Sequence, residues 1–420
     1  MLMSQFLDYL YKLRNQGSSF GLQRMEELVQ NFENPQFSYP VIHVAGTNGK
    51  GSVCAMLSSA YRANGYKVGL FSSPHLVELG ERVQVNGKNT PMHEIEQIVD
   101  RIKPVAEAME KKQPGMHPTF FEIMTMVAFL VFQKEKVDIA VIETGLGGRL
   151  DSTNVVRPAL SIISSISLDH CEILGPGISN IAREKAGIIK AKTPVLCGWL
   201  PKPALQEIEQ KAAEEKAEMI YLDTETVQCP QTNLVGAYQR RNAALAMRAL
   251  QVMQPHLSTD SSKNEKGLLT TELAGRWQLI QGSPLIILDT CHNEAGIDCL
   301  MENIRAMKKI PQRLWFSAMG EERANSMVNR LSPLFEEIVY FTPDLPRATQ
   351  YDEIFSSIST EFRNRLRSGN WQNIESELKE LTQNPPDGLL ITGSIYLIGR
   401  VLSVIKNQNY SDSSALQDLL

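Results

Sequence analysis

The sequence predicts an α/β protein built as a P-loop-containing parallel-sheet domain followed by a smaller Rossmann-like α/β domain. Three observations predict it. Short β-branched runs alternate with helical segments through residue 253; the alternation restarts beyond a polar stretch at 258–267; and one early strand passes through a glycine-rich turn directly into a helix. Alternation of this kind implies a parallel sheet covered by helices.

The elements follow in order. PVIHVA (40–45) reads as a strand, SVCAMLSSAYRANG (52–65) as a helix, YKVGLF (66–71) as a strand, TFFEIMTMVAFLVFQ (119–133) as a helix and VDIAVIE (137–143) as a strand. The longest near-continuous apolar stretch, Ile123 to Phe132, is roughly half the length a bilayer needs, so it reads as a buried helix. ALSIISSI (159–166), a helix around 178–189, TPVLCG (193–198), a charged helix 203–216 and a helix 237–253 continue the pattern. STDSSKNEKG (258–267) has no apolar periodicity and reads as a surface loop leading to a domain boundary, giving domains 1–275 and 276–420. In the second domain PLIILD (284–289), RLWFSA (313–318), EIVYFT (337–342) and GLLITG (388–393) are strand-like, and the tail 407–420 is expected to fray.

Composition narrows the function. At about 150 residues per domain, a chain of 420 residues holds two or three domains. With 42 Lys plus Arg against 47 Asp plus Glu, the net charge of -5 leaves no basic footprint for nucleic acid. Six scattered cysteines without a C-x-x-C pair argue for a reducing compartment, and each reads as a buried small apolar residue. Asp8 and Lys12 interrupt the apolar N-terminus, which excludes a signal-peptide core or a membrane span there. The expectation is a cytoplasmic protein.

The most informative stretch is VIHVAGTNGKGSVCAMLSSA (41–60), where a buried strand enters Gly46-Thr47-Asn48-Gly49-Lys50-Gly51-Ser52 and then a helix. Glycines let backbone N–H groups converge on phosphate oxygens, Lys50 supplies a point charge, Ser52 offers a hydroxyl to magnesium, and the helix dipole favours the anion. The Walker pattern is not met: only two residues separate Gly46 from Gly49, and Gly51 intervenes between Lys50 and Ser52. The competing reading is a glycine-rich turn with a solvated lysine. Glu143 ends the strand VDIAVI, at the carboxyl edge where parallel sheets bind ligands. A carboxylate there serves equally as a magnesium ligand or as half of a surface ion pair. The periodicity of ISNIAREKAGII places Lys185 on a solvated helix face.

GTNGKGS, with SSPHL (72–76), ERVQVNG (81–87), TFFE (119–122), ETGLGGRLDSTN (143–154), SLDH (167–170), REKAGI (183–188), GAYQRRNAALA (236–246), GRWQ (275–278), DTCHN (289–293) and ITGSIYL (391–397), closely resembles the folylpolyglutamate synthase and dihydrofolate synthase family of the Mur ligase superfamily. The resemblance spans nearly the whole chain and is strongest between 20 and 190. It implies that Thr47, Asn48, Gly49, Lys50, Gly51 and Ser52 bind ATP, and that Ser52, Ser73, Glu143 and His170 hold two magnesium ions. It also implies that Lys185 is carbamylated, which turns a cation that repels magnesium into an anionic oxygen donor. Ser73 sits in an X-Pro turn where Pro74 is placed to follow a cis bond. The resemblance further assigns Asn242 to adenine, Arg276 to the phosphates, Asp289 to ribose and His292 to the nucleotide's surroundings, with Lys50, Lys185, His170 and Arg276 as catalytic groups. Thr119, Phe120, Phe121 and Glu122, with Leu150, Asp151 and Ser152, are assigned to a pterin pocket; both phenylalanines read equally well as core.

Thr290, Cys291 and Glu294 depart from the family's D-G-A-H-N-P, and SAMGEERANSM (317–327) lacks its Lys-Asp pair after the glycine. The activity implied is that of an ATP-dependent carbon–nitrogen ligase adding L-glutamate to dihydropteroate, to reduced folates, or to both, through an acyl phosphate, and working as a monomer. A cell-wall Mur-type amino-acid ligase and a non-catalytic nucleotide-binding protein are the alternatives.

Overall fold

The structure, a computed structural model, describes residues 3–15, 21–222, 228–280, 282, 284–345, 348–383 and 388–406. The expected frayed tail 407–420 lies outside the described residues. The described residues divide into a larger unit, formed by those up to Asn233 and by Gln239–Glu272, and a smaller unit, formed by Leu234–Tyr238 and by those from Leu273 to 406.

The larger unit carries β1 (Val41–Ala45), β2 (Val68–Phe71), β3 (Val83–Val85), β4 (Lys88–Asn89), β5 (Ile139–Glu143), β6 (Leu160–Ile163), β7 (Val195–Cys197) and β8 (Met219–Tyr221). Their order is β4-β3-β2-β5-β1-β6-β7-β8, with β2, β5, β1, β6, β7 and β8 mutually parallel and the β3–β4 hairpin antiparallel at one edge. Strands β1 and β5 are buried at every position. Covered on both faces, they read as continuous apolar runs rather than alternating ones. The hairpin, which the sequence reading passed over, turns on Asn86 (φ 52°) and Gly87 (φ 73°), the two positive φ values a tight twisted turn needs.

Helix Phe120–Glu135 begins with a capping box. Glu122 N–H donates to Thr119 Oγ1 (3.3 Å) and Thr119 N–H to Glu122 Oε2 (2.7 Å). As predicted from its apolar run, the helix is buried from Ile123 to Phe132 and packs in the main core with Phe71 and Ile142. Helix Met92–Lys112, also unanticipated, adds Ile95, Ile98, Val99 and Ile102 to that core.

The stretch 258–267 is not a loop. Asp260 caps a helix, Ser261–Leu269, by accepting Lys263 N–H at 3.0 Å and Ser262 Oγ–H at 2.6 Å. The helix buries itself through Gly267 rather than through an apolar stripe: a Cβ on Gly267 would lie 2.5 Å from Ala60 Cα, and Ser59 Oγ–H donates to the Gly267 carbonyl at 2.8 Å. Close backbone approach leaves no hydrophobic period to read, which is why the pattern misled. The cysteine expectation holds for half the set: Cys54, Cys197 and Cys291 are buried, whereas Cys171, Cys229 and Cys299 are partly exposed.

The smaller unit carries β9 (Gln278–Ile280), β10 (Ile286–Asp289), β11 (Arg313–Phe316), β12 (Glu337–Tyr340), β13 (Leu366–Ser368) and β14 (Leu389–Thr392). Their order is β13-β12-β11-β14-β10-β9, all parallel except β9. The fold class expected from the alternation is therefore the one observed. Among the described residues no helix is long and apolar enough to cross a membrane.

Candidate active site

β1 is the centre of the larger sheet, flanked by β5 and β6, and its carboxyl end opens into residues 46–52. A strand-order switch of this kind leaves a crevice outside the carboxyl ends. The glycines of the turn each answer to a neighbour. Gly46 has φ 157°, and a Cβ there would sit 2.0 Å from Ser164 Oγ; Gly49 has φ 86°, with Asn242 Oδ1 at 2.6 Å from its hypothetical Cβ; a Cβ on Gly51 would lie 3.5 Å from Glu143 Oε2.

The end of β6 straps the turn down. Asn48 N–H donates to Ser165 Oγ (3.0 Å), while Ser165 Oγ–H and Ser164 Oγ–H both donate to the Asn48 carbonyl (2.8 Å each). Thr47 N–H donates to the Ser165 carbonyl (2.8 Å), and Thr47 Oγ1 accepts Ser167 N–H and donates to the Ser167 carbonyl, both at 3.1 Å. The amides of Thr47 and Asn48 are thus spent inside the protein. Those that remain for an anion belong to the first turn of helix Lys50–Ala63, where N–H groups have no intrahelical acceptor.

Two lysines meet on the turn. Lys50 Nζ donates to the carbonyls of Gly46 (3.1 Å) and Thr47 (3.2 Å), and Lys185 Nζ donates to Gly46 (2.9 Å). Lys185 is buried, 4% exposed, so the solvated-face reading of its helix fails. Burial, with the positive charge of Lys50, pushes its amine down to about 7, against the opposing pull of Asp169 and Asp151.

The register Val44↔Glu143 sets the Glu143 carboxylate beside the start of the turn, buried at 4% exposure, and Ser52 is buried on the following helix. A hydroxyl and a carboxylate are hard oxygen donors of the kind magnesium takes. Among the described residues no three His, Cys, Asp or Glu side chains converge to hold a metal alone. A magnesium ion here would therefore draw on hydroxyl, phosphate and water oxygens, which is its habit in phosphate sites. Ser73 precedes Pro74 through a cis peptide, as the turn suggested. His170 adopts a left-handed backbone (φ 49°), its N–H donating to Asp169 Oδ1 at 3.0 Å.

On the other side of β5, Phe120 is buried and Phe121 tilts against Phe71 with ring centroids 5.8 Å apart. Glu122 is buried and paired with Arg24, whose Nε lies 3.0 Å from Oε2. Arg82, fully buried, donates from Nε to His75 Nδ1 (2.8 Å) and places its guanidinium 5.2 Å from the Phe120 ring centre. Arg24, His75 and Arg82 were not among the expected site residues, although His75 and Arg82 lie within SSPHL and ERVQVNG; nothing local marks Arg24, which is 98 residues from Glu122. Ser164, Ser165 and Ser167 escaped it too, although a run of hydroxyls at a strand end is a legible signal. Leu150 is half-buried, Ser152 Oγ lies 2.7 Å from Thr125 Oγ1, and the Asp151 carboxylate accepts N–H groups from Leu146 (2.9 Å) and Thr153 (3.0 Å).

Asn242 Nδ2–H donates to Gln239 Oε1 at 3.0 Å within the larger unit. In the smaller unit Asp289 ends β10 buried, accepting Trp277 N–H and Cys291 N–H at 2.9 Å each. Burial raises its carboxyl, with Arg276 opposing. The next helix is capped by Asn293, whose side chain accepts Gly296 N–H. Thr290 hydrogen-bonds Arg276 and also donates to the Gly275 carbonyl at 3.1 Å, while Nδ1 of His292 lies 2.9 Å from the Thr290 carbonyl. Glu294 pairs with Arg330 at 3.1 Å. The side chains of Thr290 and Glu294 thus have partners within the smaller unit.

Comparison with known proteins gives consistent matches. The Mur ligase middle domain matches residues 85–246, and the Mur ligase glutamate ligase domain matches 275–395. A dihydrofolate synthase/folylpolyglutamate synthase of Bacillus subtilis is 35% identical over 92% of this chain and 95% of its own length. A folylpolyglutamate synthase of Lacticaseibacillus casei is 28% identical over 96% and 98%. Among solved structures, Mycobacterium tuberculosis folylpolyglutamate synthase complexed with ADP and AMPPCP aligns with a TM-score of 0.85 at 26% identity, covering 95% of this chain and 98% of that one. An FPGS–AMPPCP–folate complex aligns at 0.80 and 26%, covering 96% and 100%.

Proposed function

The chain belongs to the dihydrofolate synthase/folylpolyglutamate synthase family, and from that premise we propose that it is an ATP-dependent ligase joining L-glutamate to dihydropteroate, to reduced folates, or to both. The observation that carries this is the strapped turn 46–52, with Lys50 on its rim, the Glu143 carboxylate facing Gly51 and open helix amides behind them. Relatives of known structure hold AMPPCP and folate, which supports the same pair of ligand classes here.

The reaction transfers the γ-phosphoryl of ATP to the acceptor's carboxylate, releasing ADP and forming an acyl phosphate. The α-amine of glutamate then attacks the acyl carbon, loses its proton and expels inorganic phosphate. Lys50 and the first-turn amides of the following helix neutralise charge spread over the phosphoryl oxygens. Ser52, Ser73, Glu143 and His170 are assigned to two magnesium ions, which, when bound, would screen phosphate charge. Lys185, as a carbamate, would add an anionic oxygen. Its lowered basicity supports that role, because only the neutral amine takes up carbon dioxide. Thr119, Phe120, Phe121, Glu122, Leu150, Asp151 and Ser152 are assigned to the acceptor, and Asn242 to adenine. In the smaller unit Arg276, Asp289 and His292 are assigned to nucleotide contacts. The enzyme is proposed to act as a cytoplasmic monomer on small molecules alone.

Phosphate release by purified protein with ATP, magnesium and glutamate, comparing dihydropteroate with tetrahydrofolate, tests the reading and separates the two acceptors. Release that ignores glutamate or both acceptors would refute it.

A further inference from the structure

We propose that His43 and Thr153 are positioning residues for the acceptor pocket, acting through the Asp151 carboxylate to hold the turn 145–152 against Phe121. The inference rests on the ligase reading above.

His43 lies within β1 with no exposed surface, three residues before the phosphate turn, yet it takes no part in that turn. Its Nε2 is 2.8 Å from Thr153 Oγ1, and Thr153 Oγ1 is 2.5 Å from Asp151 Oδ1. Both Asp151 oxygens already accept backbone N–H groups, Oδ1 from Thr153 and Oδ2 from Leu146. The one hydroxyl proton of Thr153 therefore goes to Asp151, and the oxygen that gives it away accepts from His43. That order assigns the imidazole as the Nε2–H tautomer and leaves Nδ1 a bare acceptor, in keeping with Nδ1 having no hydrogen-bond partner. Burial, assisted by Lys190, pushes the imidazole down to about 3, so it remains neutral.

The chain ends on the pocket wall. A Cβ on Gly145 would lie 2.5 Å from Phe121 Cζ, so the turn's backbone rests on that ring. At the turn's other end Ser152 Oγ lies 2.7 Å from Thr125 Oγ1, whose proton goes to the Phe121 carbonyl at 2.8 Å. Asp151 ties these ends together by holding Leu146 N–H on one side and Thr153 on the other. Releasing its carboxylate lets both ends drift from Phe121.

The test is steady-state kinetics of Thr153→Val, His43→Leu, their double variant and Thr153→Ser, with thermal unfolding followed in parallel. Each single variant should raise KM for the pterin acceptor about ten-fold, or ~1.4 kcal/mol, while KM for ATP stays within about two-fold. The double variant should do no more than either single one, because the two residues act in series. Thr153→Ser, which keeps the hydroxyl, should retain the native acceptor KM. Since β1 runs straight into the phosphate turn, simple loss of packing at His43 would raise KM for ATP. That pattern, additive effects, or an unmoved acceptor KM overturns the inference. If His43→Leu does not fold, the contrast between Thr153→Val and Thr153→Ser decides alone. A native protein inactive with every pterin acceptor refutes the ligase reading and this inference with it, whereas an active native protein with unmoved variants refutes only the inference.

Discussion

Gly46→Ala tests how tightly the β6 strap grips the phosphate turn. The new Cβ would stand 2.0 Å from Ser164 Oγ and 3.2 Å from both Ser164 Cβ and Ser165 N. Ser164 can swing its hydroxyl away, but only by giving up its 2.8 Å bond to the Asn48 carbonyl, a loss of about 1 kcal/mol. The backbone at φ 157° is a region that alanine occupies only at a cost of about 1–3 kcal/mol. Together these give on the order of 2–4 kcal/mol against the native turn, or about 30-fold to 1,000-fold in affinity for the phosphates. Calorimetric titration with a non-hydrolysable ATP analogue reads this directly, with thermal unfolding to separate local from global damage. Ser164→Gly added to Gly46→Ala removes the clash but forfeits the same bond to the Asn48 carbonyl and leaves the φ strain, so it should recover little of the loss. Binding by Gly46→Ala within two-fold of native would refute the argument that the strap sets the turn.

Lys50→Ala should cost about 3–4 kcal/mol of barrier, a loss of turnover of two orders of magnitude or more with the fold intact; unchanged turnover removes Lys50 from the mechanism. Because the Lys185 amine is held down at about 7, it is charged below that pH and neutral above it. In metal-free protein, labelling with ¹³C carbon dioxide should rise as pH climbs through 7, and labelling that starts only near the usual lysine range would contradict the burial argument. Glu122→Gln keeps the helix cap but leaves Arg24 buried without its carboxylate, so denaturant unfolding should show a loss of about 3–5 kcal/mol. Replacing both partners by apolar residues should cost less, and an equal cost would mean that packing, not charge, dominates there.

Local pattern carried most of the secondary structure. Continuous apolar runs marked β1, β5 and β6 because strands covered on both faces have no polar side to reveal, and the apolar length of 123–132 marked a buried helix. The helix at Ser261–Leu269 was illegible because glycine, not a hydrophobic stripe, makes its contact. Lys185 was misread from its periodicity for a related reason. A helix face that looks polar in isolation can still be buried when another segment supplies the acceptor, here a carbonyl 139 residues away.

From residue order alone came the α/β class, the position of the phosphate turn at a strand-to-helix junction and, through resemblance, the family. These rest on neighbours in sequence, whose geometry the backbone itself dictates. Only the tertiary structure decided which amides of that turn remain open, which charges are desolvated, and that Arg24 pairs with Glu122, Arg82 with His75, His43 with Thr153 and the serines after β6 with residues 47 and 48. Those are properties of groups brought together from distant parts of the chain. Their protonation and hydrogen bonding depend on what surrounds them after folding, which no local spacing records.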